Sequence, residues 1–232
     1  MMDLDLHKLM IGVSVWAVPI LLAVTMHEAA HGWVASKLGD DTAKNMGRVT
    51  FNPFAHIHLF GTILLPAMLL LMSGGQYMFG FAKPVPVNFH NLRHPRRDMI
   101  LVAAAGPGAN LLIATASALL LHAAHFVPDP YMAWAGSNLV NSLWINIVFA
   151  VFNLMPLPPL DGGRIAVGLL PRPFSTWLAG LERLGFMVII FVLFILPWIG
   201  GKIGVDLNVL WWLVGVPAQF VMDVIVTITG IK

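Results

Sequence analysis

Cysteine is absent from the chain, which excludes disulfides, thiolate metal sites and cysteine nucleophiles. Charge is scarce as well: 13 Lys and Arg with 11 Asp and Glu make up only 10% of 232 residues. A soluble domain carries about 25%, so this chain has too little charge to coat a globule, and a polytopic membrane protein in contact with a lipid bilayer is expected. The formal net charge of +2 gives no argument for nucleic acid as a partner. No linker, low-complexity tract or repeat divides the sequence, which reads as a single membrane-embedded domain over residues 1–232. The first hydrophobic run reads as a retained helix and not a removable signal peptide, because it flows into a motif at His27 instead of a small-residue cleavage site. Ser14, Ser73 and Ser117 lack the GxSG turn of a serine protease.

Apolar length takes the place of charge, with 58% of residues hydrophobic. A spanning helix needs about 20 mostly apolar residues. Leu9 to Met26 is such a run and continues as helix through His27 and His31 toward Leu38. Met99 to Phe126, Ser137 to Leu160, Leu184 to Ile199 and Leu207 to Ile228 supply four more. Phe60 to Met72, holding Pro66 and closed by Gly74 and Gly75, is short and reads as a re-entrant hairpin. The expected fold class is an all-α polytopic membrane protein. It has about five to six transmembrane helices, a re-entrant or short hairpin segment, and membrane-associated β-strands. Those strands are Gly47 to Asn52 and Lys83 to Phe89, where β-branched residues and Pro84 and Pro86 favour extended backbone.

Basic residues set the sides. Lys37, Lys44 and Arg48 follow the first helix, while Lys83, Arg93, Arg96 and Arg97 precede the next strong one. The positive-inside rule puts both clusters in the cytoplasm, which holds if Phe60 to Met72 returns instead of crossing. The same count puts Arg164, Arg172 and Arg183 inside, Lys8 and Lys202 outside, the N-terminus outside and the C-terminus inside.

His27-Glu28-Ala29-Ala30-His31 is an HExxH motif on a helix. A spacing of four stacks both imidazoles on one face, where they can share one Zn²⁺. Glu28 sits about 100° around the helix, placed to take a proton from a metal-bound water. HExxH alone arises by chance, and its bland reading is a helix end with a charge snorkelling to the interface. At the end of an uncharged apolar run, however, an ionisable group is costly unless it has a task. A zinc site needs a third protein ligand. The other acids within or bordering the strong apolar runs are Asp161 and Asp223. Asp161 closes the segment Asn153-Leu154-Met155-Pro156-Leu157-Pro158-Pro159-Leu160-Asp161-Gly162-Gly163, whose three prolines break a helix where backbone must line a cavity or be buried in protein.

HExxH on a first transmembrane helix, paired with NxxPxxPLDGG later, resembles the site-2 protease family of intramembrane zinc metalloproteases. Gly47 to Asn52 with Gly61-Thr62, then residues 82–88, then Gly106-Pro107-Gly108-Ala109-Asn110, resemble its compact prokaryotic branch without PDZ or CBS domains. The likeness runs from about Leu21 to Arg164. It implies an intramembrane zinc-dependent endopeptidase that cleaves transmembrane segments of single-pass proteins in a prokaryotic inner membrane. It also implies His27, His31 and Asp161 as metal ligands, Glu28 as catalytic base, and Asn153 as a substrate- or oxyanion-binding amide. Asn110 is expected to serve close helix packing. The branch often has His-Ile-Asp where this chain has His56-Ile57-His58; solvated loop histidines are expected there instead of a second metal site.

A substrate helix must unwind to be cut, since a helical peptide buries its scissile carbonyl in i, i+4 hydrogen bonds. It is expected to add as a strand beside Gly47 to Asn52, with Gly47, Val49 and Phe51 as substrate contacts. The rivals are a metal-binding transporter or channel, with transport surviving loss of Glu28, and a pseudoprotease that binds helices without cutting. His122 and His125 read as interfacial histidines, and Asp223 as an ion site or a polar helix end. Nothing in the sequence assigns an oligomeric state.

Overall fold

A computed structural model describes residues 6–72 and 80–231. The long opening helix α1 (Leu6–Lys37) is followed by one turn, α2 (Thr42–Asn45). A π-helical turn, Leu59–Leu64, runs into α3 (Leu65–Met72). Then come α4 (Pro95–Leu121) and α5 (Met132–Asn153). Three short helices follow: α6 (Asp161–Leu169), α7 (Phe174–Gly180) and α8 (Glu182–Ile190). A second π-helical turn, Phe191–Ile195, leads to α9 (Leu196–Ile203), and a third, Trp211–Gly215, leads to α10 (Val216–Thr229).

Helices α1, α4 and α5 pack on one another, α6 adds to α4, and α10 lies against α4 and α5. Small residues make this possible. Ala23, Ala114, Ala118, Ala150 and Ala218 are fully buried at the crossings, and in lipid it is close backbone approach, not hydrophobicity, that favours helix association. The outward faces are apolar: Trp16, Leu22, Leu112, Trp212 and Phe220 are all exposed, which water would penalise and a bilayer rewards. Helix α4 starts with Pro95, which has no N–H to satisfy, and the Asp98 carboxylate reaches back to accept from the His94 amide at 2.9 Å.

Four helices are long and apolar enough to cross a membrane: Met10–Lys37, Pro95–Leu121, Met132–Asn153 and Trp211–Thr229. These are four of the five long runs expected from hydropathy. The fifth, Leu184 to Ile199, lies within one unbroken helical stretch, residues 182–203, made of α8, a π-helical turn and α9. The end of α10 departs from the expectation of a C-terminus on the Pro95 side. His122 at the end of α4 bonds the Thr229 carbonyl at 2.8 Å, so α10 finishes at the end of the bundle opposite Pro95.

The segment after α1 goes out and comes back. The Phe81 amide donates to Gly61 O at 2.9 Å, Thr62 Oγ1 to Phe81 O at 3.0 Å, and the Lys83 amide to His56 O at 2.9 Å. Residues 80–83 thus rejoin residues 56–62, the hairpin geometry expected of Phe60 to Met72. Gly74 and Gly75, expected to close it, lie outside the described residues.

No β-strand occurs among the described residues, against the expected strands at Gly47 to Asn52 and Lys83 to Phe89. The reason is where their backbone groups go. The Arg48 amide closes a turn onto Ala43 O, and the Asn52 amide bonds Thr50 Oγ1. Residues 80–88 are extended, but Pro84 and Pro86 have no N–H to offer a ladder. The Val85 and Asn88 amides are taken by the side chains of Glu28 and Asp40. This stretch is a strap laid over α1, not a strand.

Candidate metal centre

His27 and His31 lie one turn apart on α1, and Asp161 is the first residue of α6. All three are buried, and one ligand atom of each falls within 4.8 Å of the others. The two Nε2 atoms are 3.0 Å apart, and Asp161 Oδ2 is 3.2 Å from that of His27 and 3.3 Å from that of His31. Tetrahedral zinc with bonds of 2.0–2.1 Å sets its ligand atoms about 3.3 Å apart. The spacing fits.

The tautomers agree with it. His31 Nδ1 lies 2.7 Å from Val102 O, which can only accept. His27 Nδ1 lies 2.6 Å from Asn110 Oδ1. The orientation of that amide is fixed by a chain of acceptors. Ser142 O takes the Asn146 amide nitrogen at 2.8 Å, leaving Asn146 Oδ1 to accept from Asn110 Nδ2 at 2.8 Å. Asn110 Nδ2 also faces Ala23 O at 3.2 Å, so its oxygen turns to His27. Both histidines therefore carry their proton on Nδ1 and aim a lone pair from Nε2. Two lone pairs and Asp161 Oδ2, a buried oxygen that receives no hydrogen bond, repel one another unless a cation lies between them. Asn110 is thus more than a packing residue, which corrects the expectation for it. Asn146 was not anticipated, although a buried asparagine two turns before Asn153 in an uncharged run was a readable signal.

Glycines make the room. A Cβ on Gly106 would collide with His31 Nε2, and one on Gly162 with Leu154 O. The first lets α4 approach the imidazoles; the second lets α6 start against the proline turn that delivers Asp161. Glu28 is half-buried, and its Oε2 accepts from the Val85 amide at 2.6 Å.

Asn153 ends α5, and its Nδ2 donates to Phe149 O at 3.0 Å. Gly47 is an exposed turn residue at φ +66°, a left-handed conformation that suits glycine. Val49 packs with Val85 over Gly32 beside His31, and Phe51 is exposed. Among the described residues the backbone at Gly47, Val49 and Phe51 turns and bends and is paired in no ladder. His56 is buried and bonded through Nε2 to Thr50 O at 3.1 Å, against the expectation of a solvated ring. His58 is exposed as expected and accepts from the Gly61 amide through Nδ1. Neither joins a metal-binding group among the described residues. Asp223 is exposed and accepts from Gln219 at 2.9 Å.

The profile of peptidase family M50 matches residues 15–129 and 126–196. The chain belongs to peptidase family M50. Three bacterial relatives of this M50 chain are each named "Putative zinc metalloprotease". YwhC of Bacillus subtilis is 42% identical over 184 residues, 78% of this chain and 80% of its own length. Rip2 of Mycolicibacterium smegmatis is 30% identical over 178 residues, 76% of this chain and 65% of its own. Rip2 of Mycobacterium tuberculosis, of the same name, is 31% identical over 195 residues, 83% of this chain and 70% of its own. No solved structure matches the chain. Family and apolar helices together make this M50 peptidase a multi-pass membrane protein.

Proposed function

We propose that this membrane metalloprotease is an intramembrane zinc endopeptidase of a prokaryotic inner membrane, cutting the transmembrane segments of single-pass proteins. The observation that carries the reading is the convergence of two Nε2 atoms and one carboxylate oxygen on a helix long enough to cross a bilayer. His27, His31 and Asp161 hold the ion, and bound there Zn²⁺ supplies Lewis acidity. Glu28 is the general base. Its Oε2 is occupied by the Val85 amide, so Oε1 takes the proton from the attacking water and returns it to the leaving amine. Asn153 donates to the developing oxyanion once Nδ2 leaves Phe149 O. The substrate is unwound at the site, because an intact helix withholds the carbonyl to be attacked. Lys44, Arg93, Arg96 and Arg97 put the Pro95 end of the bundle in the cytoplasm.

The test is zinc content and cleavage of a synthetic single-span peptide by purified protein in detergent. Wild type and Glu28→Gln are expected to hold one zinc per chain, with cleavage by wild type alone, and Asp161→Ala to lose metal. Wild type without zinc would overturn the metal reading. Cleavage by Glu28→Gln at the wild-type rate would remove Glu28 as base.

A further inference from the structure

Arg48 is a cation at 7% exposure, and among the described residues no acidic side chain pairs with it. A guanidinium is costly to bury away from anions unless its donors are well used. Nη2 of Arg48 is turned to the strap, donating to Lys83 O at 2.8 Å and reaching Pro84 O at 3.4 Å, while its buried Nε has no partner among the described residues. The Val85 amide that grips Glu28 Oε2 at 2.6 Å belongs to the same peptide unit as the Pro84 carbonyl. That unit is planar and stiff. Where its oxygen is held decides where its N–H points. Pro84 and Pro86 flank it without N–H groups of their own and with φ fixed by their rings. The Val85 side chain packs with Val49 over Gly32, one residue after His31. At its far end the strap is tied by the Asn88 amide to Asp40. Arg48 is the tie nearest the glutamate.

We infer that Arg48 is a positioning residue for catalysis: by fixing the Pro84–Val85 peptide, it holds the Glu28 carboxylate in the orientation that leaves Oε1 free for the proton. The inference rests on Glu28 being the base, as proposed above. Without the clamp the strap slackens, the Val85 amide no longer selects one carboxylate oxygen, and the base loses its aim while the metal ligands stay in place. A misplacement of about 1 Å at a reacting group costs up to roughly a hundredfold in rate.

The experiment measures zinc content, melting temperature, kcat and KM for a synthetic single-span peptide in detergent. It compares wild type, Arg48→Gln, Arg48→Lys and Glu28→Gln, with Arg97→Gln as an exposed-cation control of unchanged activity. Arg48→Gln is expected to keep its zinc and lose about ten- to a hundredfold in kcat, with KM within about twofold. Arg48→Lys, which keeps a charged donor to the two carbonyls, is expected to recover part of kcat. If Arg48→Gln fails to fold, Arg48→Lys carries the test by its own fall in kcat at unchanged KM and zinc. Wild-type kcat in the folded Arg48 variants would overturn the inference, and so would a rise in KM alone, which would make Arg48 a substrate contact. A kcat above wild type would overturn it too, making the strap a brake on Glu28. A Glu28→Gln enzyme that still cleaves would instead defeat the base assignment beneath it, and the two failures are read from separate variants.

Discussion

Gly106 shows how a residue without a side chain can decide whether a metal binds. A methyl group there would enter the space of both imidazoles, whereas a Cβ on Gly108, on the same helix, meets nothing within 4 Å. Gly106→Ala is therefore expected to lose most of its zinc and Gly108→Ala to keep it, as measured by metal analysis of the purified proteins. Equal zinc in the two would mean that α4 shifts to accommodate the methyl. At this scale the sequence was informative where chemistry is local. His27, Glu28 and His31 follow from helical spacing, and Asp161 from a carboxylate stranded on a proline break. Asn110 was misjudged because its partner, His27, lies on another helix, and no spacing rule reports a hydrogen bond between helices. Arg48 and the Val85 amide were hidden for the same reason: one acts through backbone carbonyls, and the other is itself backbone.

The strap is the element that the sequence described only in part. Its extended backbone was legible from Pro84 and Pro86, yet its pairing was not. Whether an extended segment joins a ladder depends on what stands beside it, and here that is a helix carrying Glu28 and a turn carrying Asp40. Asp40 is fully buried and accepts from Thr42, Asn88 and Asn91. Burial alone would raise its carboxyl, but the Thr42 and Asn91 side chains and the Asn88 amide outweigh it and hold Asp40 below the usual carboxylate range. An unfolded aspartate titrates near about 3.9. The folded chain binds this proton more weakly than the unfolded one, so the stabilisation is present above about pH 4 and lost as pH falls through the lower folded value. Asp40→Asn is expected to melt below wild type at pH 6, with the gap closing toward pH 3. Melting in detergent across that range checks it, and a gap that does not change with pH would show that the charge of Asp40 contributes nothing.

For the whole molecule, the side on which each end emerges depends on one long-range contact. Hydropathy identified all four helices that are long and apolar enough to cross, because lipid selects for length and apolarity. At Leu184 to Ile199 it pointed to an apolar helix, and residues 182–203 are helical throughout. Single cysteines are clean reporters in a chain that has none. Cysteines at Lys44 and Arg93 are expected to react with a membrane-impermeant maleimide from one face, and one at Gly230 from the other. Positions 44 and 93 labelled from opposite faces would make the hairpin a crossing. Position 230 labelled from the same face as 44 would overturn the placement of the end of α10 beside the end of α4.

The turn that carries Asp161 is docked on α1 through the same atoms that could hold an ion. His31 and Asp161 stand roughly 130 residues apart in the chain, so an ion shared between them closes a loop of that length. Zinc is then a fastener as well as a reagent. A protein stripped of it keeps three electron-rich atoms pressed together with nothing positive among them, and the cheapest relief is for the proline turn to swing away from the bundle. Metal supply would govern how long the enzyme survives in the membrane, and not only how fast it cuts.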